Sequence, residues 1–110
     1  MENDKLLPAL FELLNKDFAV ARRDLPEKRD YNRELEELRK FLSERVAILM
    51  SEDFDRFVNS LYRIDIPENK IRKVFNDKSN PDLSGKIADL IIERQLQRAK
   101  TRLLYKEGKL

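Results

Sequence analysis

The spacing of the large apolar residues constrains this chain more than any other feature. Leu6, Leu7, Leu10, Leu13, Leu14 and Phe18 recur at intervals of three and four, and so do Leu35, Leu38, Phe41, Leu42, Val46 and Leu49 further along. That spacing follows the turn of an α-helix and not the two-residue alternation of a strand. The rest of the composition agrees. Only two of 110 residues are glycine, and Val and Thr are sparse, whereas sheets favour β-branched residues and glycine-rich turns. Charged residues reach 40 %, well above the usual quarter or so. With Leu, Ile and Phe still plentiful, that charge reads as the solvated backs of amphipathic helices and not as disorder.

Punctuation divides the chain. "DLPE" at 24–27 and "DIPE" at 65–68 share one grammar. Asp can cap the first free amides, Pro tolerates the first turn, and Glu can close a capping box. The segments that follow them differ in length, so shared capping explains the pair better than a structural repeat. The expected helices are 4–22, capped by Asn3 or Asp4 with Pro8 near the first turn; a second from Leu25 or Tyr31 to about Met50; and a third capped by Ser51, with Phe54, Phe57, Val58 and Leu61 inward. A short fourth helix, capped by Asp65, carries Ile71, Val74 and Phe75. The last is capped by Ser79 or Asn80, has Pro81 at its first position, and runs to about Tyr105. These make one all-α domain over residues 1–110: a compact bundle of four to five helices with a long C-terminal helix. Its core is expected to contain Leu10, Leu14, Leu38, Leu42, Phe57, Leu61, Phe75 and Ile91.

The chemistry available to such a domain is narrow. There is no histidine and no cysteine. The commonest general acid–base and the thiol nucleophile are therefore absent, and the serines have no imidazole to activate them. Zinc sites draw on the same two missing residue types. Glu34, Glu36 and Glu37 are carboxylates, but Arg33, Arg39 and Lys40 lie close enough to make a solvated ion-pair face. "NPDLSGKI" at 80–87 imitates the start of a calcium loop, with Asn80, Asp82, Ser84 and Gly85 in place. Ile91 stands where the bidentate Glu belongs, and the same residues read as a helix start. No catalytic residue, metal or cofactor is expected, and the chain reads as a non-enzyme.

Charge is concentrated at the C-terminus. Residues 86–110 hold seven basic and three acidic side chains. On a helix, Ile92, Leu96, Ala99 and Leu103 form an apolar seam, and Arg94, Arg98, Arg102 and Lys106, each four apart, form a cationic ridge beside it. The ridge has three readings. It follows a phosphate backbone; it faces acidic side chains of the second helix, in the same chain or a second copy; or it is solvated. No nucleic-acid motif is present, and the overall charge of +2 is modest for a nucleic-acid binder. A helix over 81–105 would run about 37 Å, so its end is expected to protrude and expose Leu103, Leu104 and Tyr105 as a protein contact.

The stretches "LYRIDIPENKIRKVF" and "IADLIIERQLQRAKTR" resemble small all-helical bacterial proteins of no assigned function. The resemblance covers the C-terminal half. It implies a bacterial, cytoplasmic, helical protein and carries no catalytic or ligand residue. The N-terminus lacks the pattern of a signal peptide and no apolar run approaches the span of a bilayer, which also points to the cytoplasm. The expected function is a non-enzymatic protein-interaction or assembly module with a protein partner or weak homo-oligomerisation and no membrane contact. The alternative is a nucleic-acid-associated protein using the ridge.

Overall fold

Five helices make up the computed structural model, which describes residues 3–18, 31–79 and 81–108, with Asn3 and Asp4 described by backbone alone. They are α1 (Asn3–Phe18), α2 (Tyr31–Glu52), α3 (Phe54–Arg63), α4 (Glu68–Asn76) and α5 (Leu83–Lys106), with no strand among the described residues. The all-α bundle with a long final helix is thus observed. The "DLPE" start, expected helix 19–22 and Asn80 lie outside the described residues.

α5 is the axis of the bundle, and α1 and α2 both pack along it. α1 runs antiparallel to α5: Lys5 sits near Glu107, Glu12 near Arg102 and Asp17 near Arg98. α2 is also antiparallel to α5. Tyr31 packs into the cluster that holds Ala99 and Leu103, while Arg39 reaches Asp82 and Asp89 at the other end of α5. α3 folds back on α2, and α4 lies against α5 through a Lys70–Glu93 pair at 3.3 Å.

One core cluster draws from all five helices, including Leu10 and Leu14, Leu38 and Leu42, Phe57 and Leu61, Ile71, Ile87 and Ile91. A second joins Leu6, Ala9 and Leu13 of α1 to Ala99. Seven of the eight expected core residues are buried. Phe75 is only half-buried, because its ring meets Phe54 edge-on at the surface, centroids 5.6 Å apart. Phe54 itself, expected inward, is exposed. Phe41 is exposed too, since the buried line of α2 runs Glu34, Leu38, Leu42, Val46 at strict four-residue steps and leaves Phe41 on the flank.

The caps correct several expectations. α2 continues through Ser51, whose hydroxyl donates to the Ile48 carbonyl at 2.8 Å, and the cap of α3 is Asp53, accepting from the Arg56 amide at 3.0 Å. The last helix is capped by Asp82, two residues or more beyond the expected Ser79 or Asn80. The Asp82 carboxylate accepts the Gly85 amide at 3.2 Å. A Cβ at Gly85 would fall on that carboxylate, so the glycine makes room for the cap.

The largest difference is at "DIPE". Asp65 caps nothing. It adopts φ 63°, one residue past the C-cap of α3. Its amide donates to the Tyr62 carbonyl at 3.0 Å and the Ile66 amide donates to Leu61 at 3.3 Å. Those two bonds, with buried Leu61 and Ile66 in one core, are the Schellman arrangement that closes helix C-termini. Asp tolerates the left-handed region better than most residues, which is why it can stand where glycine is usual. Pro67 then takes the N-cap position of α4, without a side-chain cap bond, and Glu68 pairs with Arg72 one turn on at 2.6 Å.

Candidate functional site

The cationic ridge of α5 is committed inside the chain. The buried face of α5 is Ala88, Ile91, Gln95 and Ala99, while Ile92, Leu96 and Leu103 are only half-buried. At 100° per residue this face is rotated from the expected seam by roughly 60° toward the arginines. The arginines therefore meet neighbouring helices. Arg94 donates from Nε to the Ile64 carbonyl at 2.7 Å, closing the C-terminus of α3, and its guanidinium lies 3.8 Å from Asp65. Arg98 binds Asp17 at 3.1 Å and the Gln95 side-chain oxygen at 2.9 Å. Arg102 lies 3.8 Å from Glu12. The acidic side chains that face the ridge thus come from α1 and the α3–α4 junction, not from the second helix. Lys106 is exposed.

Gln95 is the residue that apolar counting misses. It is fully buried at the centre of the α5 face and donates to Asp17 at 2.7 Å. Asp17, Gln95 and Arg98 form a closed polar triangle between α1 and α5. Its signal in the sequence is positional: Gln95 continues the four-residue line of Ile91 and Ala99.

The segment expected as a protein contact is divided. Leu103 packs against the second core cluster and Leu104 is half-buried, so only Tyr105, at 74 % exposure, faces out. The end of α5 does not stand clear, because α1 lies antiparallel along it and brings Leu6 and Ala9 to that level.

Other sequence candidates also resolve. Arg39 bridges Asp89 at 2.6 Å and Asp82 at 3.2 Å, which raises its pKa above the ordinary arginine value through those two hydrogen bonds. It does not join the glutamates of α2, where Arg33 and Glu37 pair at 3.8 Å. The calcium-like residue Asp82 is occupied as cap and Arg39 partner. No group of three or more acidic, His or Cys side chains with metal-binding placement occurs among the described residues, and no described helix is long and apolar enough to cross a membrane.

Among the surfaces of the described residues, α3 carries two. On one side Phe54, Val58 and Tyr62, four apart, form a stripe flanking the buried Phe57 and Leu61; Phe54 is 49 % and Tyr62 44 % exposed, and Phe75 of α4 extends the stripe. On the other side α3 walls a cleft of about 550 Å³ with the C-terminal turns of α1 and α2. Lys16, Arg45, Arg56 and Arg63 line it, with Phe18 and Phe57 in its floor, their rings tilted at 6.3 Å. Arg45 is anchored by its Nε to the Phe18 carbonyl at 3.3 Å. Neither surface was expected from the sequence: Phe54 and Val58 were read as inward-facing, and the cleft assembles residues of three helices. Compared with family models, curated proteins and solved structures, the chain matches none.

Proposed function

We propose that the chain is a non-enzymatic helical interaction module whose contact surface is the exposed face of α3, and that its first partner is a second copy of itself. The observation that supports this reading is the Phe54–Val58–Tyr62 stripe, continued by Phe75. Large side chains repeating at four-residue steps on the outside of a helix are how amphipathic helices lay against a partner. The stripe is self-complementary. If two α3 helices pack antiparallel about Val58, Phe54 of each faces Tyr62 of the other. The absence of histidine and cysteine supports the non-enzymatic part. A bacterial cytoplasm is the setting we propose, on the sequence reading alone. The nucleic-acid alternative has less support, because a phosphate would have to displace carboxylates and a carbonyl from Arg94, Arg98 and Arg102.

Light scattering across a concentration series tests the proposal. The mass should rise above the 13.1 kDa of one chain as concentration increases. Phe54→Ser with Tyr62→Ser should hold it at one chain while helical circular dichroism stays unchanged. A single-chain mass at every concentration would refute self-association. A rise that persists in the double variant would move the contact away from α3.

A further inference from the structure

We propose that the cleft between α1, α2 and α3 is a binding site for a compact phosphoryl-bearing anion of up to about nucleotide size. The proposal does not rest on self-association, because the cleft and the aromatic stripe lie on different sides of α3. Its basis is a contrast in how cations are partnered. Lys16, Arg56 and Arg63 make no side-chain ion pair or hydrogen bond with any described residue, and among the described residues Arg45 has only a carbonyl on its Nε, with none on its two terminal nitrogens. Three arginines and a lysine converge on one concavity, and Lys16, Arg56 and Arg63 make no ion pair with a described residue, so they repel one another unless an anion joins them.

The carboxylates of the cleft do not supply that anion. Asp17 is engaged by Gln95 and Arg98. Asp53 caps α3 through the Arg56 amide. Glu52 and Asp53 both keep their charge at the cleft wall, so they weaken the positive field of the four cations without cancelling it. The volume of 550 Å³ falls in the range of about 300–1,000 Å³ typical of small-molecule sites. Guanidinium forks match carboxylate and phosphoryl oxygens alike, but a phosphoryl group offers three oxygens and up to two charges, so one group can engage several of these cations at once. The less polar part of an organic phosphate has Leu49 and the Phe18–Phe57 pair to rest on.

Titration of the full chain with inorganic pyrophosphate and with ADP, read by calorimetry and by shifts of the arginine Nε–H signals, tests this. Both ligands should bind and should move Arg45, Arg56 and Arg63 but not Arg94. Arg56→Gln with Arg63→Gln should weaken binding by about tenfold or more. Glu52→Gln should strengthen it several-fold, an effect that general damage to the fold would not produce. Lys106→Gln, on the ridge, should leave it unchanged. No binding of either ligand at about 1 mM, or binding indifferent to the Arg56 and Arg63 changes, would overturn the proposal. So would capture of an acidic peptide at the same arginines without any response to pyrophosphate, which would make the cleft a protein-docking site.

Discussion

The ridge of α5 and the cleft beside α3 hold similar side chains in opposite states. Arg94, Arg98 and Arg102 are regularly spaced, and on a helical wheel they look like an outward-facing row. In the folded chain each has a partner within 4 Å. Lys16, Arg45, Arg56 and Arg63 have no common spacing, come from three helices, and converge without an ion pair to any described residue, although Asp17, Glu52 and Asp53 line the same cleft. Regular spacing of cations therefore says where they sit on one helix and nothing about whether they are available. A buried face displaced by less than one residue's rotation turns a solvated ridge into the polar seam between α5, α1 and α3.

That contrast predicts that changes to the ridge move stability and leave anion binding alone, while changes to the cleft do the reverse. The largest effect should come from replacing Arg94, Arg98 and Arg102 together with Gln. The Ile64 carbonyl loses its donor and Asp17 loses its charged partner; the exposed Arg102–Glu12 pair adds little. The expected loss is about 3 kcal/mol in urea unfolding. A loss under about 0.5 kcal/mol would mean the row is merely solvated after all.

Asp17→Ala sharpens the same point from the other side. The Asp17 side chain is only 13 % exposed, and its removal leaves a fully buried Gln95 amide without an acceptor. The expected loss is about 2 kcal/mol, or a fall in Tm of roughly 10 °C for a domain of this size. In a double-mutant cycle with Arg98→Gln the two losses should not add, because the groups share one network.

Asp65→Gly should stabilise the chain by up to about 1 kcal/mol, since φ 63° is free to glycine and disfavoured for other residues. The exposed 3.8 Å contact with Arg94 that it removes is worth little. Asp65→Asn should be nearly neutral, and Asp65→Val should destabilise. If Gly were as harmful as Val, the Arg94 contact would matter more than the backbone, and the junction would belong to the charge network. The smallest stability change is expected for Arg56→Gln with Arg63→Gln, within about 0.5 kcal/mol, despite its large expected effect on pyrophosphate binding.

Much of the fold was legible because helix formation is local. The intervals of three and four in α1, α2 and α5 assigned the elements, and Leu10, Leu14, Leu38, Leu42, Phe57, Leu61 and Ile91 fell in the core as their spacing required. The caps were legible only in kind. Asp, Ser and Pro marked each boundary, but several neighbouring oxygens could do the capping, and packing chose among them. Asp53 rather than Ser51 caps α3 because α2 runs on until its last carbonyls meet the turn. Asp65 sits at the end of one helix rather than the start of the next because Leu61 and Ile66 enter the same core and pull the chain into the left-handed turn between them.

The sequence by itself determined the element type, the approximate helix order, and the poverty of acid–base and thiol chemistry, since these depend on residue identity and on near neighbours. The tertiary structure decided the rest: that α1 lies along α5 and takes up its arginines, that Gln95 is buried, that Leu103 faces inward while Phe54 and Tyr62 face out, and that cations from three helices meet in one cleft. The physical reason is that a helix presents every azimuth at equal local energy. Which azimuth is buried depends on the combined contacts of all five helices, and a rotation of a few tens of degrees changes which charges find partners.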